Sequence, residues 1–435
     1  MIKKTVYILF LLFSMIQMGI AQQEQTLHFV RDIWQANLTN PALMPDKKIQ
    51  ILLPSVYYNL HSPDSKFQDL LKPDANGKLS LADVVKNRLQ DQNRFDANIQ
   101  MQTLGISFKP YDKLSFSFYH AINTNPNIDL NRDLLKLVVE GNSQYLGKKV
   151  NFSSSANGSI YTELGFGATY NVQEHIAIGG RVKILNGVAG IFTTKDKLNI
   201  EFDNNNYNIS FDNDFEVKTY SLTTFSDIRN MKDLVRLGFT KNRGFALDLG
   251  FTATLGKLNF SASVIDLGGS IHWKDDGKSY ASTGTYKYAG LNTDNIFKID
   301  SFNTTGFKDT LQKVIGYTET INPTHTQKIP TKVYLSSTYE ITEKLTAGLL
   351  LYGETNEFTG TKLGMAVDAT VALSQFLSAG GSLSLRNGSI SNLGVHAVVK
   401  IGPVQVYGVT DNIITVFQPY NSKIANGRVG INLVF

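Results

Sequence analysis

The 435-residue sequence has no cysteine, which excludes a disulfide framework and a lipid anchor on a cysteine behind an export signal. Charge is sparse: Asp, Glu, Lys and Arg make up 18% of the chain, below the ~25% of ordinary soluble domains. The formal net charge is only +5, and no basic block marks a nucleic-acid surface. Beyond the N-terminus no run is apolar enough for a membrane helix, so any crossing of a bilayer falls to alternating strands, whose signal per segment is weak. What the chain has instead is 35 Gly, 19 Tyr and 26 Phe, a composition suited to closely packed strands and to aromatic girdles at a membrane interface.

The two ends give the compartment. Met1 to Lys4 form a basic start, Val6 to Ile16 are almost wholly apolar, and Gly19, Ile20 and Ala21 place small residues where a signal peptidase cuts. The apolar run falls short of the ~20 residues that span a bilayer, so residues 1–21 are expected to be a cleaved signal peptide. At the other end Val429, Ile431, Leu433 and Phe435 alternate with Arg428, Gly430, Asn432 and Val434. A free apolar edge strand invites aggregation, and a closed barrel removes the edge. The expectation is a barrel closed by its last strand, in the outer membrane of a Gram-negative cell, with outer-membrane lipid around it.

Period-2 alternation recurs along the chain. Leu164, Phe166, Ala168 and Tyr170 alternate with Glu163, Gly165, Gly167 and Thr169, and Ile176, Ile178, Gly180, Val182 and Ile184 with Ala177, Gly179, Arg181 and Lys183. In a barrel the greasy face meets lipid and the other looks inward. Strand parity then turns Glu163, Arg181, Lys183, Asp248, Arg386 and Arg428 toward the lumen, where opposite charges can pair. Connections alternate between short and long, with tight turns at Tyr111 to Lys113, Gly256 and Lys257, Ile341 to Glu343 and Ser374 to Phe376, and long stretches such as Ser62 to Asn98, Asn123 to Asn157, Thr223 to Asn242 and Leu291 to Lys328. Outer-membrane barrels keep their long loops on one side in this way. Phe192 to Ser221 and Ser270 to Gly290 alternate weakly and are rich in Asn, Asp and Lys, which reads as hairpins projecting outside the membrane. The predicted fold is an all-β, transmembrane antiparallel β-barrel over residues 47–435, of about 14 strands, or roughly 18 if those hairpins belong to it. Small helices are predicted in the long loops: one from Ser80 and Asp83 with Leu81, Val84, Val85 and Leu89, the other around Leu130, Leu134, Leu135, Leu137 and Val138.

No catalytic constellation emerges, and the expectation is a protein that is not an enzyme and uses neither cofactor nor metal. Gly277, Lys278 and Ser279 copy the end of a phosphate-binding loop, but His272 stands where the leading glycine belongs, so a turn is expected there. Asp74, Asn76, Gly77 and Asp83 resemble a fragment of a calcium loop whose spacing is short and in which Lys78 stands where a ligand is expected. The seven histidines never reach a metal-protease spacing.

The run Asn37, Leu38, Thr39, Asn40, Pro41, Ala42, Leu43 enters a long strand, and this Asn-Pro-Ala element resembles that of the FadL-like outer-membrane barrels. A closer likeness is to an uncharacterised branch of them, carried by Leu53, Pro54, the Tyr-rich first strand, Asp411, Asn412, the patch Phe417 to Tyr420 and the terminal strand. The resemblance implies a barrel whose N-terminal segment, here residues 22–46, occupies the lumen as a plug. It also implies uptake of hydrophobic small molecules, with Phe29, Ile33, Trp34 and Leu38 beside Asn40, Pro41 and Ala42 as ligand-binding residues. The plug is shorter than that of the fatty-acid transporters. Other barrels with this element are accessories of type IX secretion or gliding machinery, so the alternative is a scaffold that binds secretion or surface-complex proteins through its loops or plug.

Overall fold

A computed structural model describes residues 24–435 apart from 46, 72, 74–76, 78–80, 205–207, 222–239, 289–314, 359 and 387–388. Alternating side chains leave each strand one apolar and one polar face, and a sheet of such strands hides neither face until it curls on itself. Fourteen antiparallel strands do so. They are β1 (Ile49–His61), β2 (Gln92–Tyr111), β3 (Leu114–Thr124), β4 (Ser155–Gln173), β5 (Ile176–Phe202), β6 (Arg243–Leu255) and β7 (Leu258–Trp273). The second half comprises β8 (Thr331–Glu340), β9 (Leu345–Asn356), β10 (Gly360–Ser374), β11 (Leu377–Arg386), β12 (Ser389–Ile401), β13 (Val404–Thr410) and β14 (Ile424–Val434). Each pairs with its neighbours in sequence, and β14 returns to β1 through Gln50↔Val434 to His61↔Ile424.

Most of the weakly alternating residues lie outside this ring, as their composition indicates, although Ser270 to His272 still pair with β6. On β5, Ile176 to Asn186 pair with β6, whereas Gly190 to Phe202 pair with the strand Ile209–Tyr220. That strand in turn pairs with Gly277–Tyr288, so both hairpins merge into one sheet beyond the barrel. Gly277, Lys278 and Ser279 therefore open a strand rather than form a turn. Strand β2 starts at Gln92 rather than Ile99 because its first residues pair with the strand Asn127–Asn131. Long connections do cluster at one end, but there β9 joins β10, and β11 joins β12, tightly. The expected loop helices are Leu81–Asn87 and Arg132–Glu140, beside shorter ones at Phe67–Leu71 and Ile413–Phe417; Arg132–Glu140 is capped by Asn131, whose Oδ1 accepts from the Asp133 amide at 2.8 Å. Val84, Val85 and Leu89 pack against Leu135 and Val139, so the two helices cover each other at the long-loop end. Ser80, Asp74, Asn76 and Lys78 lie outside the described residues.

The outer wall is apolar over its whole circumference: Val56, Tyr58, Phe166, Ile178, Val182, Leu249, Phe251, Leu349, Leu351, Val429 and Ile431 are all exposed. Cross-strand rings reinforce it, with Phe118 and Phe166 at 5.0 Å between centroids. A continuous band of this kind is unsuited to water and fits a bilayer. Among the described residues no helix is long and apolar enough to cross a membrane.

The last residue's backbone extends the closure of β14 on β1 by one more set of bonds. The Phe435 amide donates to the Ile49 carbonyl at 2.9 Å, and the Phe435 carbonyl accepts from Lys48 and Ile49 at 3.2 and 3.3 Å. Deleting Phe435 removes these links at the seam, and the fraction of protein running as a compact, heat-modifiable band on gels is expected to fall. An unchanged fraction would mean that the seam does not depend on this residue.

Candidate functional site: the lumenal segment and its charge network

Residues 24–44 lie inside the ring. Two 3-10 turns, Thr26–Phe29 and Trp34–Leu38, are joined by a bend, and nearly every side chain is buried. The apolar residues point in three directions. Phe29 packs with Ile265, Tyr334, Leu350 and Tyr352; Leu27, Val30 and Ile33 with Val398, Tyr407 and Val409; Trp34 with Leu52, Tyr119 and Ala121, flanked by Leu38. Phe29, Ile33 and Trp34 thus key into different sectors of the wall and do not converge on one cavity. Polar bonds go all round as well: Thr26 Oγ1 lies 2.7 Å from Ser382 Oγ, Gln35 donates to Gln102 and Asn432, and Asp32 accepts from Ser378.

The Asn-Pro-Ala element is seated on two glycines. Gly179 on β5 and Gly250 on β6 face each other in register, and a Cβ at either would collide with Asn40, Pro41 or Ala42. Only a bare backbone admits this approach. Once there, Asn40 Nδ2 donates to Ser261 Oγ at 2.7 Å and to the carbonyls of Phe251 and Ala262 at 3.2 Å, while its Oδ1 accepts from the Ala42 amide at 2.8 Å. Thr169 Oγ1 donates to the Pro41 carbonyl at 2.6 Å.

Beside this seat lies a buried charge network. Arg181 bonds Asp248 at 2.9 Å; Lys183 bonds Asp248 at 3.0 Å and Asp266 at 2.7 Å; Lys332 reaches Asp266 at 3.1 Å. Glu163 stands 3.9 Å from Lys183 and accepts from the Tyr119 hydroxyl and from Asn123. Three cations thereby meet three carboxylates. Arg181 also donates to the Asn37 carbonyl at 2.8 Å and to its side-chain oxygen, which ties the network to the segment. Asp266 occupies this place because β7 bulges there: its pairing register with β6 shifts on either side of Leu267, and Asp266 and Gly268 have φ of 59° and 64°. Pairing of β7 with β8 stops at Ile265↔Lys332, and pairing with the strand His325–Lys328 resumes at Ser270. The gap is held by the Ile329 amide on the Gly269 carbonyl at 2.9 Å and Thr331 Oγ1 on the Asp266 carbonyl at 3.1 Å.

Glu163, Arg181, Lys183, Asp248 and Arg428 are all buried in the lumen; the Arg386 side chain lies outside the described residues. Parity does not find Glu24 or Asp266, whereas Lys332 shares the inward parity of Tyr334 and Ser336. Glu24 bonds Arg428, at 2.8 Å to Nη2, and burial raises its carboxyl above the usual range against the pull of that guanidinium. Above it a polar cavity of about 70 Å³ touches Glu24, Lys183, Asp266 and Arg428, and continues past Tyr161 and Asn123 into one of about 80 Å³ toward the long-loop end. Among the described residues no group of His, Asp and Glu is arranged to hold a metal ion.

His28 completes the segment's hold. Its Nδ1 lies 2.7 Å from Thr39 Oγ1, its Nε2 2.8 Å from Ser336 Oγ, and its ring stacks on Tyr334. Thr39 already spends its hydroxyl proton on the Ala36 carbonyl at 2.8 Å. His28 must then donate from Nδ1, and in the neutral ring that burial favours Nε2 is left to accept from Ser336. Burial, aided by Arg31, pushes its pKa down to about 3.

A model of a family described as a family of unknown function, DUF5723, matches residues 41–411. The chain belongs to this family. No curated protein matches the sequence. Solved structures similar in fold include a Pseudomonas aeruginosa FadL homologue, 9% identical, with 95% of this chain and 98% of the other covered at a TM-score of 0.45. The Pseudomonas putida toluene transporter TodX is 9% identical, with 92% of each chain covered and a TM-score of 0.40. The COG4313 outer-membrane channel of Pseudomonas putida F1 is 11% identical, with 90% and 97% covered and a TM-score of 0.33. The family without assigned function agrees with the uncharacterised branch that the sequence resembles. The barrel assignment itself rests on the strand pairing.

Because His28 is harder to protonate in place than in the unfolded chain, its contribution to docking is complete above ~6.5, the ordinary histidine value, and is lost as pH falls from there toward its folded value, by up to ~1.4 kcal/mol per unit. Glu24, raised by burial, acts in the opposite sense, so a histidine variant is needed to separate them. Trp34, made sole reporter by Trp273→Phe, is expected to shift its emission to the red between pH 6.5 and 4, and His28→Gln to flatten that response. An identical response in both proteins would remove His28 as its source.

Proposed function

We propose that this is an outer-membrane β-barrel for passive uptake of hydrophobic small molecules, exported by the signal peptide 1–21 and gated by residues 22–46 as a plug. In this reading it is not an enzyme, the long loops face outward and the short turns face the periplasm. One observation carries the reading. On the lipid-facing wall Phe251, Phe260, Leu335, Leu349 and Leu351 frame an apolar concavity of about 360 Å³, floored by the small residues Ala262 and Ser337, a size suited to a small ligand. The inner side of the same wall is where the segment is bonded: Asn40 to Ser261 and to the carbonyls of Phe251 and Ala262, His28 to Ser336. Movement of the segment therefore loosens the wall where an apolar molecule sits on its membrane side, beside the bulge at Asp266. Phe29, Ile33, Trp34 and Leu38 become available to a ligand only when the segment leaves its present contacts.

The second reading, a closed accessory barrel that binds secretion or surface-complex proteins, is favoured by the lumenal cavities, which are lined by charges and amides and are far smaller than the ~300 Å³ of small-molecule sites. Flux of a small aromatic hydrocarbon into proteoliposomes separates the two. Uptake expects flux through the wild-type barrel, reduced several-fold by Ala262→Trp, which fills the concavity. Absence of flux in the wild type and in a variant lacking residues 24–44, together with no amphiphile detected by mass spectrometry of the purified protein, would favour the scaffold.

A further inference from the structure

On β3 (Leu114–Thr124), Tyr119 and Ala121 are buried against Trp34 of the segment, so the alternate residues Phe116, Phe118, His120 and Ile122 face outward. One imidazole thus interrupts an apolar stripe on the lipid side. His120 stands near the middle of the strand, about 15 Å above the short turn by strand rise and tilt, in an apolar band of roughly 25 Å. Lipid headgroups do not reach that depth, and hydrocarbon offers neither donor nor acceptor.

An irregularity of the wall holds the ring. Gln102 pairs with Ala121 and Leu104 with His120, so Thr103 is an extra residue in β2, beside a stretch of β1 where Leu53 and Pro54 make no pair. Outside the ladder, Thr103 brings its Oγ1 to 2.8 Å from His120 Nδ1 and 3.2 Å from the His120 carbonyl. Nδ1 is thereby occupied. Nε2 has no partner among the described residues and is not enclosed. With the ring proton on Nδ1 it is a lone pair without a donor; with the proton on Nε2 it is an N–H without an acceptor. A polar group left in this way in hydrocarbon is costly, and in a membrane protein it marks a site of interaction. The surroundings decide what fits. His120 is half-buried, whereas its cross-strand neighbour Leu104 and the nearby Phe166 are 56% and 48% exposed and rise around it. A recessed imidazole framed by projecting apolar side chains admits a small polar group on an apolar body. The wall of a second barrel would meet Leu104 and Phe166 first.

We infer that His120, oriented by Thr103, forms a lipid-facing binding site for a membrane-dissolved apolar molecule that carries a hydroxyl group. A hydroxyl both donates and accepts, so it satisfies Nε2 in either tautomer, and Leu104, Phe118, Leu164 and Phe166 receive the apolar body. The site lies on β2 to β4, away from the concavity framed by β6 to β9. It requires only that the outer wall face lipid, and it holds equally in a barrel that passes nothing.

The test is equilibrium binding of para-pentylphenol to the full chain in lipid nanodiscs, measured against protein-free nanodiscs, with pentylbenzene as the probe that lacks the hydroxyl. Saturable binding of the phenol is expected, together with a shift of the His120 ring-nitrogen NMR signals, which are identified by their absence in His120→Phe. Pentylbenzene should bind more weakly by about fivefold or more, the loss expected for one net hydrogen bond. His120→Phe should erase the preference for the phenol, and Thr103→Val, which keeps the imidazole but releases it, should reduce that preference. Heat-modifiable migration establishes that each variant is assembled. No saturable binding of the phenol, equal affinity for pentylbenzene, or an undiminished preference in an assembled His120→Phe or Thr103→Val would each overturn the proposal. His120 signals that change as the protein is diluted in lipid, without responding to the phenol, would overturn it in favour of contact between two copies of the chain. Binding of both probes alike, insensitive to His120→Phe and abolished by Ala262→Trp, would overturn it while leaving the uptake reading intact.

Discussion

A wall that turns its apolar face outward turns its polar face inward, and here the inward charges are shut away from bulk water. A buried charge without a partner costs several kcal/mol, so the interior must neutralise itself. Strands β4 to β8 do this among themselves, with Arg181, Lys183 and Lys332 meeting Glu163, Asp248 and Asp266. The β14 cation Arg428 is answered from the segment, by Glu24. The segment is therefore part of the electrostatic closure of the barrel as well as its filling.

The same requirement explains local irregularities. The bulge in β7 places Asp266 in a left-handed conformation that is unfavourable for a residue with a side chain, and in return aims its carboxylate at two lysines while its amide donates to Asp248 at 2.8 Å. Paired glycines on β5 and β6 let the Asn40–Ala42 backbone lie against the wall. His28, enclosed by Thr39, Ser336 and Tyr334, stays neutral where a charge would have no partner. Docking of the segment thus combines apolar keys in three directions with polar bonds to many strands, and no single contact holds it.

Much of this architecture is legible in the sequence because parity is a property of each strand alone. The order of the strands, the exclusion of most of the weakly alternating residues from the ring, and the inward aim of Arg181, Lys183 and Asp248 all follow from residues two apart. What joins strands is less legible. Lys332 and Asp266 meet only because β7 and β8 are neighbours in the closed ring, and Asp266 follows the inward Ile265, so regular alternation would send it outward. The bulge that turns it in has a local signal, Asp266 two residues before the pair Gly268 and Gly269, though such a signal fits many turns. For the segment, Phe29, Ile33, Trp34 and Leu38 read as one apolar group because they are close in sequence; 3-10 turns and a bend spread them over three sectors of the wall.

The central claim is that residues 24–44 are docked against the wall inside the closed barrel. A chain without native cysteine permits a direct test: Thr26 Oγ1 and Ser382 Oγ, one on the segment and one on β11, lie 2.7 Å apart, close enough for sulfur atoms at the same positions to bond. In the double variant Thr26→Cys, Ser382→Cys, assembled in membranes and exposed to a mild oxidant, the account predicts near-complete formation of the disulfide, read as a reductant-sensitive change in mobility of the denatured chain. Two thiols that remain free in a folded, heat-modifiable barrel would contradict it.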